Sequence, residues 1–179
     1  MNSEAEDSVE VAILGKCVYL KPEGFATQRN SLGIPEFLDA MFRTGCTHAV
    51  FDLSECRGMD STFLGVIADA ATALPQRRGK TVIILNANER GQRQLRRVGL
   101  LPLVRVLDRE VKPPEPMELR KMDFVDFPKT QYEKLKKIRD LHQRLIRLNE
   151  GNRELFGPFI EMVEEELEQT RQAEEQQEQ

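Results

Sequence analysis

Two short, almost unbroken apolar runs constrain this chain more than any other feature: Ala49-Val50-Phe51-Asp52-Leu53 and Thr81-Val82-Ile83-Ile84-Leu85. Runs of this length without polar alternation suit strands covered on both faces, and the second is rich in β-branched side chains. Between them Phe63, Ile67, Ala70 and Leu74 recur at helical spacing, in a stripe widened by Leu64, Val66 and Ala71. Strand, helix and strand in that order make a crossover unit, which joins parallel strands with right-handed sense. The chain is therefore α/β.

The flanking elements extend the same plan. Val9–Leu14 and Cys17–Leu20 read as an antiparallel edge hairpin turned at Gly15-Lys16. Pro35 opens a helix with Phe37, Leu38, Met41 and Phe42 on one face, ending at Gly45. A third helix is predicted from about Glu89 to Val98, stopped by Gly99, and Val104–Leu107 supplies a last short strand. A central mixed sheet of about five strands with helices packed on it accounts for residues 1–110.

Beyond it, Pro113, Pro114 and Pro116 mark a linker over residues 111–129, against which Phe124 and Phe127 can dock. From Gln131 onward Ile138, Leu141, Leu145, Leu148, Leu155, Phe159 and Met162 alternate by threes and fours, with Asn152 in one seam position. That is a coiled-coil-like helical extension over residues 130–168, interrupted at Gly157-Pro158, where a kink or hairpin is expected. So apolar a seam needs a cover. A homodimer through residues 131–167 supplies one; folding back onto the globular domain, or closing as a hairpin at Glu150-Gly151-Asn152 or Gly157-Pro158, supplies another. Residues 169–179 are rich in Gln and Glu with nothing to bury, and read as a disordered tail.

A formal net charge of −4 gives no general pull toward nucleic acid or an anionic membrane. The N-terminus is polar and acidic, and no stretch approaches a membrane span, so a cytoplasmic protein is expected. Cys17, Cys46 and Cys56 are scattered core thiols without a Cys-x-x-Cys pair, and His48 and His142 lack partners at ligand spacing. Neither a metal nor a cofactor is expected. Arg90, Arg93, Arg96 and Arg97, with Arg77 and Arg78, read as a solvated face or as a docking surface for an acidic partner. No nucleophile with a paired base and no phosphate-cradling glycine loop is visible, so the chain reads as no enzyme.

The informative motif is Met59-Asp60-Ser61-Thr62-Phe63-Leu64-Gly65-Val66-Ile67, between the first apolar strand and the helix after it. It resembles the signature of STAS domains of the anti-sigma factor antagonist type, in which Asp-Ser-Ser/Thr-Gly-Leu-Gly stands in that place. The element order from Val9 to Leu107 is similar too, as is the Leu95…Val98-Gly99-Leu100…Val104 pattern. The resemblance implies a STAS fold and a partner-switching role. Ser61 would be phosphorylated by a GHKL-type serine/threonine kinase that doubles as the anti-sigma factor, with a phosphatase opposing it.

On that pattern Asp60, Ser61, Thr62, Phe63, Leu64 and Gly65 form the partner-binding run, with Thr62 the alternative phosphoacceptor. An alternative role is a non-catalytic STAS subunit of a stressosome-like or transporter-ATPase complex. Chemistry alone leaves other readings open at the same residues. Asp60, Ser61 and Thr62 are all good helix N-caps. Phe63 departs from the family glycine and either faces a partner or turns into the core. Gly65 suits close packing where helix meets sheet.

Overall fold

The computed structural model describes residues 6–73, 81–107, 112, 118–122, 124 and 128–177. Strands β1 (Ser8–Leu14) and β2 (Cys17–Ala26) pair antiparallel about Gly15, whose φ of +59° is the left-handed conformation such a turn demands. There follow α1 (Gln28–Ser31), α2 (Ile34–Arg43), β3 (His48–Asp52), β4 (Cys56–Met59) and α3 (Ser61–Ala73). Next come β5 (Thr81–Leu85), α4 (Glu89–Arg97), β6 (Arg105–Leu107) and β7 (Arg120–Met122), then helices α5 (Gln131–Leu148) and α6 (Gly151–Gln177).

The sheet runs β6-β5-β3-β2-β1-β7, with β4 pairing β2 off that path. Strands β2, β3, β5 and β6 are mutually parallel, and β1 and β7 are antiparallel to their neighbours. One face, carrying Val18, Leu20, Ala49, Phe51, Val82 and Ile84, shares a core with Leu38 of α2, Phe63 and Ile67 of α3 and Leu95 of α4. The other face gathers Ala12, Tyr19, Val50 and Leu85, with Leu107 and Leu119 against them. Burial of large apolar side chains on the helical face, about 1.5–3 kcal/mol each, is the main force holding helices to sheet.

Two strands were not foreseen. The first hairpin is not an edge, because β7 pairs with Val9–Val11 of β1. The expected linker thus contributes a strand, and its Phe124 is buried edge-on to Phe37 with centroids 5.6 Å apart. Phe127, Pro113, Pro114 and Pro116 lie outside the described residues.

The extension is a helical hairpin laid on α3. Helix α5 opens with a capping box: Thr130 Oγ1 accepts from the Glu133 amide at 3.1 Å, and Glu133 Oε2 accepts from the Thr130 amide at 3.2 Å. The chain turns at Asn149-Glu150, and α6 runs unbroken through Pro158. The expected interruption at Gly157-Pro158 is therefore absent; Phe156, Ile160, Val163 and Leu167 are buried along this stretch and offset the hydrogen bond that proline removes. The helix also continues past Leu167 to Gln177 where a disordered tail was expected, with Arg171 bridging Glu168 and Glu175 on its surface.

The apolar seam is distributed differently from the expectation. Ile138, Leu141 and Leu145 are buried within one chain, and the inward face of α6 is Asn152, Phe156, Ile160, Val163 and Leu167. Leu155 and Met162, assigned to the seam, sit one position round the helix and are 40% and 55% exposed. The apolar stripe of α5 is already covered without a second copy.

The start of helix α3 as candidate functional site

Asp60 organises the junction between β4 and α3. Its own amide donates to the Ala26 carbonyl at 3.0 Å, which fixes it beside the end of β2. Oδ1 accepts from the Phe63 amide and Oδ2 from the Gln28 amide, both at 2.8 Å. One carboxylate thus caps α3 and pins the first turn of α1, satisfying donors that helix starts leave orphaned. Capping belongs to Asp60, and neither Ser61 nor Thr62 supplies it.

Ser61 is the first residue of α3 and half-buried. Its Oγ lies 2.8 Å from Nε2 of His142, on α5. The other ring nitrogen, Nδ1, lies 2.8 Å from the Ile138 carbonyl, which can only accept. Nδ1 therefore carries the proton, Nε2 presents its lone pair, and the serine hydroxyl donates to it. The imidazole is 0% exposed, between Phe156 at 5.6 Å and Phe159 at 4.6 Å. Burial pulls its pKa below 6.5, against the opposing influence of the Ile138 carbonyl and the Asp60 charge. The imidazole stays neutral at pH 7.

A serine donating to a neutral histidine is the pairing that activates a nucleophile. Here the base is sealed by aromatic rings and its lone pair meets only Ser61, so no substrate reaches it while the hairpin is docked. In this arrangement the pair is a clasp between α3 and α5.

The rest of the expected contact run divides sharply. Asp60 and Ser61 are partly accessible, whereas Thr62 is 3% exposed and Leu64 and Gly65 are buried. Phe63 is 0% exposed, edge-on to Phe51 with centroids 6.0 Å apart, so it belongs to the core and not to a partner surface. A ring that fills this space under the sheet has no reason to turn outward. Gly65 is a close-packing position, but against α5 instead of the sheet: a Cβ there would stand 2.8 Å from Leu141 Cβ and 2.9 Å from its carbonyl oxygen.

Further anchors hold the hairpin. Arg144 pairs with Asp69 and lies 3.4 Å from Thr72 Oγ1, and Lys137 pairs with Glu36 of α2. The Asp69 carboxyl is raised by burial, which Arg144 and Lys137 oppose. Asn152, 1% exposed, donates through Nδ2 to the Val98 carbonyl at 3.0 Å and the Leu145 carbonyl at 2.6 Å, tying α6 to the end of α4. The polar seam residue thus fixes a register inside one molecule. Sequence reasoning missed His142 and Arg144 as partners of α3, and Asn152 as the tie between α6 and the end of α4. One signal was present: from Thr62 to Ala73 only Asp69 is charged, and a helix apolar all round is covered on two sides.

Elsewhere Asp52, buried at the end of β3, accepts from the Tyr19 hydroxyl, from Asn86 Nδ2 at 2.8 Å and from the Ser54 amide at 3.0 Å, a satisfied structural network. Arg90, Arg93, Arg96 and Arg97 are exposed, with Arg93 3.5 Å from Glu89; Arg77 and Arg78 lie outside the described residues. Among the described residues no helix is long and apolar enough to cross a membrane.

A family model described as STAS domain matches residues 8–112, more than half of the chain, and ends before β7, α5 and α6. No curated protein matches the chain. Among solved structures, the crystal structure of tm1081 from Thermotoga maritima, described there as an anti-sigma factor antagonist, aligns with a TM-score of 0.50 at 22% identity, over 55% of this chain and 85% of its own. The NMR structure of the protein TM1081 gives 0.51 at 21% identity, over 60% and 86%. At that identity the likeness is one of fold.

Proposed function

The chain belongs to the STAS domain family, and we propose that within it the protein is an anti-sigma factor antagonist of a partner-switching pathway, bound by a GHKL-type serine/threonine kinase that doubles as the anti-sigma factor. The kinase phosphorylates Ser61 and a phosphatase reverses it. The observation that supports this reading is the division of labour at the start of α3: Asp60 takes the capping role, which leaves the Ser61 hydroxyl for another use. That hydroxyl stands at a helix N-terminus, where amides and the positive dipole end tolerate a phosphate of about −1.5 to −2 charge. Thr62, the alternative acceptor, is far less accessible at 3% exposure. The protein acts as substrate and ligand in this scheme, and no reaction is assigned to its own side chains.

Intact-mass measurement of protein from its native cells, with and without phosphatase treatment and followed by site mapping, tests the reading. One phosphatase-sensitive phosphate on Ser61 is the expected result; a phosphate placed elsewhere, or none across growth conditions, overturns it. A second reading has one observation in its favour. The Ser61 hydroxyl is already bonded to His142, as a purely structural contact would be. In that case the protein is a non-catalytic STAS subunit of a stressosome-like or transporter-ATPase assembly, and it co-purifies with a large multi-STAS particle or a transporter ATPase instead of a kinase.

A further inference from the structure

The hydroxyl assigned to the kinase is held by the chain's own C-terminal hairpin, in a segment beyond the family match. We propose that docking of the α5–α6 hairpin and occupation of Ser61, by phosphate or by a partner, are mutually exclusive: the hairpin is an intramolecular competitor for the switch site. This rests on Ser61 being the switch.

Space and charge both point this way. A phosphoryl group on Oγ needs the volume that the imidazole fills at 2.8 Å, and behind the imidazole stand Phe156 and Phe159. The ring turns a lone pair toward Ser61 because its one proton is committed to the Ile138 carbonyl, so a dianion would meet another acceptor in a dry pocket. The neighbouring Asp60 carboxylate adds repulsion, and the cations of this interface, Arg144 and Lys137, are engaged by Asp69 and Glu36. Nor can α5 slide aside by a small step, because its backbone at Leu141 rides directly on Gly65. Contact between α5 and α3 is either complete or lost.

Release uncovers the side of α3 that carries Ser61, Gly65, Asp69 and Thr72. That surface accepts a closely approaching helix with a cation placed for Asp69, since α5 is such a helix. A partner binding the start of α3 therefore takes the place of α5, and the resting protein presents Ser61 half-buried with its hydroxyl already held by His142.

The test uses the full chain with phosphoserine installed at position 61 during translation, followed by hydrogen exchange read by mass spectrometry. Amides of α5 and α6 should exchange at least about tenfold faster than in the unmodified protein, while those of β3 and β5 keep their protection. Unchanged protection of α5 and α6, with His142 turned into an imidazolium that pairs with the phosphate, overturns the proposal. Conversely, Gly65→Ala should deprotect Leu141 to Leu145 without any phosphate. Should that variant lose the sheet as well, His142→Ala removes the clasp without adding bulk and must produce the same local deprotection; full protection there also overturns the proposal. Because the phosphate is installed, these outcomes do not depend on a kinase. An unmodified native protein would sink the proposed switch and leave the competition standing, whereas a protected hairpin would sink the competition and leave the switch.

Discussion

The two sides of α3 are built on different principles. Toward the sheet it presents Phe63 and Ile67, both 0% exposed, in a dry contact of large side chains with Phe51 beneath them. Toward the hairpin it presents Ser61, Gly65, Asp69 and Thr72, which meet α5 through a hydrogen bond, a bare backbone approach and an ion pair. The first side resembles a domain core, and the second an interface with polar anchors that water can replace when it opens. A helix can thus be permanent on one side and provisional on the other.

Four measurements break or sharpen that contrast. Phe63→Ala should cost about 3–5 kcal/mol of global stability, since it empties a fully buried ring site, and a urea titration should show sheet and hairpin lost together. A cost confined to the hairpin would reverse the assignment of sides. Asn152→Ala leaves the Val98 and Leu145 carbonyls without that donor and should cost about 1–3 kcal/mol, seen first as faster exchange in α6. Equal loss of protection in β3 would mean that the hairpin and the core open as one unit.

Ser61→Ala should cost about 1–2 kcal/mol, because it leaves the buried Nε2 of His142 without its donor while the Asp60 cap persists. Chemical denaturation checks this, and a loss several times larger would make Ser61 a structural keystone. The smallest effect is on pH. His142 has a folded pKa below 6.5, so the docked state binds its proton less readily than the released one. Docking is therefore at full strength above about 6.5 and weakens as the pH falls through that value toward the lower folded one. The groups facing the ring are Ser61 on α3 and Asp60 just before it, Phe156 and Phe159 on α6, and the Ile138 carbonyl on its own helix. Asp69 is raised by burial and acts in the opposite sense, its contribution declining as the pH rises. Exchange of α5 followed from about pH 7.5 to about 5.5 in wild type and in His142→Leu isolates the histidine, and identical slopes in the two would remove it from the account.

What was legible in the sequence follows from which forces leave a pattern. Strands β3 and β5 and the inner stripe of α3 were readable because burial writes a period into side-chain choice. All three residues of β7 are exposed, so that strand is held by backbone pairing, which leaves no such mark, and β4 is only four residues long with Gly58 inside it, too short to write a period although Cys56 and Met59 are buried. In α6 Leu155 and Met162 lie one residue from Phe156 and Val163. Only the docking partner decides which turns inward. At the site, Asp60 and Ser61 were readable from their place before the helix, but His142 was not, because it comes from a helix 81 positions away that the motif never touches.

The pairing of β7 with β1 has a consequence for any protein that competes with the hairpin. A hairpin that lets go of α3 does not diffuse away, because the chain just before it is stitched to the sheet at Val9–Val11. It stays on a short leash, and a leashed ligand acts at a local concentration of about millimolar, whatever the concentration of the protein in the cell. An incoming partner therefore contends with a rival that dilution cannot weaken. Its apparent affinity for the full chain is its intrinsic affinity reduced by the fraction of time the leash is slack.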